Sequence, residues 1–149
     1  MPRLNRNILI RAPADRVWRV LVDPMQAPDW EAGLVAVEEV GGMLDEAAAS
    51  CTQVMNFRGR TLQGELEVVE AFPPHTRAVR MQPPLTREAL RRERLVDTDA
   101  GTQLTFELDY ARRGGPLGAL LDVAFIRPRL AIMLADSLRR LRGLVESEL

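Results

Sequence analysis

Residues 101–126 read Gly-Thr-Gln-Leu-Thr-Phe-Glu-Leu-Asp-Tyr-Ala-Arg-Arg-Gly-Gly-Pro-Leu-Gly-Ala-Leu-Leu-Asp-Val-Ala-Phe-Ile, and the hydrophobic period changes halfway along them. In the first half Leu104, Phe106, Leu108 and Tyr110 alternate with Thr105, Glu107 and Asp109, the period of two that marks a strand with one dry face. After Gly114-Gly115 the apolar residues recur at helical spacing: Leu117, Leu120, Leu121, Ala124 and Phe125, then Leu130, Met133, Leu134, Leu138, Leu141, Leu144 and Val145. This predicts a helix over 116–148, on the order of 50 Å long at 1.5 Å per residue and kinked where Pro128 removes a backbone hydrogen bond. Arg127, Arg129, Arg139, Arg140 and Arg142 fall mostly off its apolar stripe and are expected to solvate the outer face. A helix this long and one-sided needs a broad apolar surface to lie against. The dry side of a sheet is what the sequence offers, and the sheet must curve around the helix.

Working backwards from residue 101, short segments rich in valine, leucine and threonine predict antiparallel strands near 34–40, 47–57, 60–71, 76–82, 87–97 and 102–112. Gly41-Gly42, Arg58-Gly59-Arg60, Pro73-Pro74, Pro83-Pro84 and Ala100-Gly101 separate them. A first strand over Arg3–Arg11, where Ile8 and Ile10 alternate with Asn7, Leu9 and Arg11, makes seven. Ala12-Pro13-Ala14-Asp15 then starts a short helix carrying Val17, Trp18, Leu21 and Val22, which Asp23-Pro24 ends. A second short helix is expected over Met25–Glu31, interrupted at Pro28 and stopped near Gly33.

The composition sets limits on function. At 149 residues, 46% hydrophobic and 28% charged, the chain suits one α+β domain over 1–149. No apolar run approaches the roughly 20 residues of a membrane span. The N-terminus shows no export signal, so a cytoplasmic location is expected. Cys51 and His75 are the sole cysteine and histidine, too few for a disulfide or a structural zinc site. All 20 basic residues are arginine, which excludes a lysine Schiff base. A net charge of −1 gives no overall field favouring nucleic acid, and no glycine-rich phosphate loop is visible, so neither a metal nor another cofactor is expected.

The order strand, two short helices, six strands, long helix is that of the helix-grip fold, and the residues resemble the START-like superfamily often called SRPBCC. The opening Ile8-Leu9-Ile10-Arg11-Ala12-Pro13-Ala14-Asp15-Arg16-Val17-Trp18, with Leu21, Asp23-Pro24 and Trp30, resembles the start of that pattern. Gly59, Gly64, Val68-Val69-Glu70 and Pro73-Pro74 resemble its middle, while Gly101-Thr102, Leu104-Thr105-Phe106 and Gly114-Gly115-Pro116-Leu117 resemble its end. Within the superfamily the chain is most similar to the bacterial polyketide cyclase/dehydrase-like group. The resemblance implies a cavity between the last helix and the concave sheet, used elsewhere for lipids, sterols, polyketides and other hydrophobic ligands. It supplies no catalytic signature to carry over, so function is read from the cavity.

On alternation the cavity wall is expected to include Leu62, Leu66, Val68, Val79 and Met81, then Leu104, Phe106, Leu108 and Tyr110. Leu117, Leu121, Phe125, Met133 and Leu134 are expected to roof it. Tyr110 is the candidate polar group, able to hydrogen-bond a carbonyl or donate a proton, unless its hydroxyl reaches water at the sheet edge. The strand 87–97 must carry charge on whichever face turns inward: either Arg91 and Glu93 share the side of Leu95, or Arg92 and Arg94 share that of Val96. An inward arginine demands a carboxylate neighbour or an anionic ligand, whereas at a rim it snorkels to solvent. Trp18 and Trp30 read as structural, with Trp30 the likelier of the two to act as a gate instead. Asp23, Asp29 and Glu31 read as helix-terminal caps and surface groups, and Cys51 as a small hydrophobe.

Three functions compete at this stage. The first is a carrier or sensor of an apolar small molecule, either neutral or weakly acidic. The second is a cyclase or dehydratase using Tyr110 with Arg91 or Arg94 for proton transfer and enolate stabilisation. The third is a protein-interaction module of a stress-response pair. Pairing of two copies into a homodimer stays open.

Overall fold

The computed structural model describes residues 2–83, 86, 88–111 and 114–147. The expected strand limits at Arg87 and Arg112, the turn residue Pro84 and the helix end at Glu148 lie outside them.

Seven strands form one sheet: β1 Arg3–Ile10, β2 Leu34–Glu38, β3 Ser50–Phe57, β4 Arg60–Phe72, β5 Thr76–Met81, β6 Ala89–Thr98 and β7 Gly101–Tyr110. Their order is β1-β7-β6-β5-β4-β3-β2, and every neighbouring pair is antiparallel. Strands β2 to β7 follow one another as a meander, whereas β1 closes the far edge against β7. Two short helices, α1 Ala14–Val22 and α2 Ala27–Trp30, therefore carry the chain from one edge strand to the other. Pro28 lies in the first turn of α2, where a missing N–H costs nothing, so it begins that helix instead of interrupting a longer one.

The expected alternation of β7 holds: Thr102, Leu104, Phe106, Leu108 and Tyr110 are buried while the residues between them are half-exposed. Gly64, Leu66 and Val68 on β4 and Cys51, Gln53 and Met55 on β3 follow the same rule. Leu62 breaks the expectation. Near the β3–β4 hairpin turn it is 37% exposed, although its register partner Met55 is buried.

The C-terminal segment is a continuous helical run in three parts: α3 Gly115–Leu121, a wide π-turn Asp122–Ile126 and α4 Arg127–Ser147. Proline accounts for the wide turn. In an α-helix the Pro128 ring would strike the carbonyl four residues before it and could not donate to it. Widening lets Arg127 N–H reach back five residues to Asp122 O instead. The extra residue also shifts the phase of the stripe. Leu130, Leu134, Leu138, Leu141 and Val145 of α4 are buried against the sheet and the short helices, whereas Leu117 and Phe125 are 69% and 53% exposed. Leu121 is half-buried. The roof is thus α4 alone, and α3 with the π-turn does not close it as the uniform periodicity suggested.

Candidate functional site

The register of β5, β6 and β7 builds the site. Arg91 lies opposite Val79 on one side and Leu108 on the other, and Glu93 lies between Arg77 and Phe106. Of the two faces β6 could turn inward, the one bearing Ala89, Arg91, Glu93 and Leu95 is buried, while Arg92 and Arg94 are exposed. Arg94 therefore leaves the set of candidate catalytic groups: alternation points it away from the concave side.

Two arginines and two carboxylates are consequently buried together. Arg77 grips Glu93 with both arms of its guanidinium, Nε to Oε1 at 2.5 Å and Nη2 to Oε2 at 3.1 Å, and donates Nη1 to Leu44 O at 2.9 Å. Arg91 donates Nε to Glu93 Oε2 at 2.9 Å and Nη1 to Glu31 Oε1 at 2.6 Å. Glu31 Oε2 accepts from Gln53 Nε2 at 2.7 Å. The Arg91 guanidinium also stacks over Phe106 at 4.7 Å and faces Trp30 at 5.6 Å, so its flat surfaces are covered by rings while its edges are bonded to carboxylates. Burial is the largest influence on Glu93 and opposes its charge, but Arg77 and Arg91 together outweigh it and hold the carboxyl below its ordinary value of 4.5. Burial likewise works hardest against the Arg91 cation, and Glu31 and Glu93 overcome it and raise its pKa. The inward arginine is satisfied by carboxylate neighbours.

Above this cluster, between α4 and the sheet, lies a cavity. Its lining includes Leu34, Met55, Met81, Leu108, Leu130, Met133 and Leu134, with Arg91, Glu31 and Ser137 as its polar members. Its volume accessible to water is about 50 Å³, space for a few waters at roughly 10–15 Å³ each. Ser137 Oγ accepts the N–H of Ala32 at 2.9 Å, tying α4 to the turn after α2. Trp30 Nε1 and Gln53 Oε1 are buried polar atoms without a partner beside the cluster.

Of the residues expected to line the cavity, Met81, Arg91, Leu108 and Met133 do, together with Leu134. Leu66, Val68, Val79, Leu104 and Phe106 are buried core, and Glu93 sits behind Arg91. Leu62, Leu117 and Phe125 stand in solvent. Tyr110 meets neither expectation. Fully buried, it donates its hydroxyl to Asp122 Oδ1 at 2.5 Å. Burial first, and Asp122 second, push the phenol up to about 12, which makes it a poor proton donor at neutral pH. Trp30 is buried, in keeping with a structural place. Cys51 is buried as expected, its thiol pushed up to about 11 by burial and then by Glu31.

Local period marks none of Glu31, Arg77 and Ser137 as site residues. Arg77 shares its alternation with Val79 and Met81, so an inward β5 face carried a cation from the start. Two inward arginines facing one inward glutamate would have demanded a second acid.

The sequence model of the family described as "Polyketide cyclase / dehydrase and lipid transport" matches residues 1–146, and the chain belongs to that family. Among curated proteins none matches. Among solved structures, a protein from Rhodobacter sphaeroides superposes with a TM-score of 0.74 at 22% identity, over 97% of this chain and 93% of that one. Ara h 8.0201 superposes at 0.71 and 12% identity, over 98% of both chains. DynU16, from the dynemicin biosynthetic locus, gives 0.69 and 20%, and this chain covers 48% of it. Identities this low establish a shared fold and leave function to the local chemistry. Among the described residues no helix is long and apolar enough to cross a membrane.

Proposed function

We propose that this protein is a cytoplasmic carrier or sensor of an apolar small molecule that bears one uncharged polar group, seated between α4 and the concave sheet. The observation that supports it is an apolar cavity whose lining carries the polar side chains of Arg91, Glu31 and Ser137 at one end, where a single polar group of a guest can be met. Charge selects the ligand class. The formal charges of Arg77, Arg91, Glu31 and Glu93 cancel, so a neutral carbonyl or hydroxyl leaves the cluster balanced, whereas an acid would bring an uncompensated charge into a dry site. Of the neutral and weakly acidic ligands that the arginines left open, this favours the neutral one.

The volume requires the walls to move. At about 50 Å³ the cavity lies far below the roughly 300 Å³ where sites for larger ligands begin. Met55, Met81 and Met133 supply three unbranched, adaptable side chains that can repack around a guest. Of the groups the enzyme reading would use, Tyr110 donates to Asp122 and Arg94 faces outward, which leaves Arg91 at the cavity.

A fluorescence titration with N-phenyl-1-naphthylamine, a neutral apolar dye, tests the reading. Saturable binding is expected, weaker binding of the anionic 1-anilinonaphthalene-8-sulfonate, and loss of both when Met133→Trp fills the cavity. Binding that Met133→Trp leaves unchanged would place the dye elsewhere and overturn the proposal.

A further inference from the structure

We infer that the outer surface of α3, the π-turn and the first turns of α4 is a docking surface for an anionic phospholipid bilayer. Leu117, Leu120, Val123, Phe125 and Ile132 are each more than half exposed. Five large apolar side chains within sixteen residues of one helical run are not the scattered exposure ordinary for a surface. The uniform apolar stripe of the sequence splits here into two functions: α4 turns its share inward, and the segment before it, phase-shifted by the π-turn, turns its share out.

Charge says what covers this face. Between Ala111 and Arg142 the sequence has seven arginines against two aspartates, five net positive charges in a chain whose total is −1. Both aspartates are committed. Asp122 is buried beneath Tyr110, and Asp136 accepts from Arg140 at 2.9 Å and Arg139 at 3.4 Å. Within the apolar ridge the exposed or half-exposed charges are Arg127, which donates to Arg3 O at 2.8 Å, and Arg129, whose guanidinium lies 5.7 Å over the Phe125 ring. Arginines flanking exposed leucine, valine and phenylalanine on a helix form the pattern that seats in a headgroup layer, with the apolar side chains at the acyl boundary and the guanidiniums on phosphates. A second copy of the chain fits worse, because a two-fold contact through this face would bring Arg127 and Arg129 near their own counterparts. The inference is independent of what the cavity holds.

The test is vesicle co-sedimentation of the full chain with phosphatidylcholine alone and with phosphatidylcholine mixed with phosphatidylglycerol. Binding is expected to the mixed vesicles only, and to weaken as salt rises. Arg127→Gln with Arg129→Gln should reduce partitioning roughly 25-fold, about fivefold for each cation removed. Leu120→Ser with Phe125→Ser should abolish it. Leu120, Phe125 and Arg127 are exposed and Arg129 is half-exposed, and the bond from Arg127 to Arg3 O lies at the surface, so each pair of substitutions is expected to leave the circular dichroism spectrum unchanged. The inference is overturned by absence of binding to mixed vesicles or by equal binding to both compositions. It is equally overturned if light scattering finds a dimer that Leu120→Ser dissolves.

Discussion

Arg91 Nε donates to Glu93 Oε2 at 2.9 Å between residues two apart on the same strand, both turned to the concave face of β6. Glu93 is the hub of the buried cluster, since Arg77 takes both of its oxygens from β5 while Arg91 shares one of them. Removing that carboxylate leaves Arg77 with no charged partner and Arg91 with Glu31 alone, in a site where the side-chain exposure of both guanidiniums is 5% or less. Glu93→Gln is therefore expected to destabilise the fold by about 3–5 kcal/mol. The exposed pairs Arg80–Glu67 and Arg80–Glu88 are screened by water, and Arg80→Ala should cost less than about 1 kcal/mol. Urea unfolding of the two variants measures the contrast, and equal losses would mean that the cluster is wetter than its burial indicates.

The depressed Glu93 carboxyl makes stability pH-dependent in a definite direction. Its folded pKa lies below the ordinary 4.5, so the unfolded chain takes up a proton first as pH falls. The stabilisation is complete above that ordinary value and is lost progressively as pH drops below it towards the folded pKa. Melting temperature followed from neutral pH into the acid range should fall more steeply for the wild type than for Glu93→Gln. Parallel curves would show that Glu93 does not carry the acid sensitivity.

Tyr110 is the only tyrosine in the chain, so its ionisation can be read without ambiguity from phenolate absorbance. Burial and the bond to Asp122 predict a midpoint near 12, well above the ordinary 10. The sign follows: the neutral phenol contributes stability that is full below pH 10 and is lost as pH rises through the folded value. Tyr110→Phe leaves Asp122 Oδ1 buried without its donor and should cost about 1–3 kcal/mol while leaving dye binding intact. A midpoint near 10 would place the hydroxyl in water.

What could be read from residue order was whatever depends on local period. The alternation from Leu104 to Tyr110, the switch to helical spacing after Gly115 and the number of strands are all local signals. The partners of the inward charges were not legible, because Glu31 and Arg91 are 60 residues apart and meet only when α2 is laid beside β6. Glu31 accordingly read as a helix-end surface acid. The roof was misjudged over α3 for a different reason. An apolar stripe reports that a helix has a one-sided surface but not whether protein covers it. The single-residue slip of the π-turn, which brings Asp122 under Tyr110, leaves no mark on the period beyond the presence of Pro128.

Two glycines that look alike in the sequence should respond oppositely to alanine. Gly101 closes the β6–β7 turn at φ +141°, and a Cβ there would lie 2.2 Å from Ile10 O, a backbone atom of β1 that cannot yield without opening the sheet edge. Both the strained dihedral and the clash act in the same direction, so Gly101→Ala should destabilise by well over about 1 kcal/mol. Gly143 lies inside α4, exposed and with nothing within 4 Å of its would-be Cβ. There alanine only reduces the freedom of the unfolded chain and raises helix propensity, and Gly143→Ala should stabilise by about 0.5–1 kcal/mol. Thermal unfolding of the two variants checks both signs. A neutral Gly101→Ala would mean that the turn can retreat from β1, and with it that the β1–β7 edge is less firmly closed than the Gly101–Ile10 contact requires.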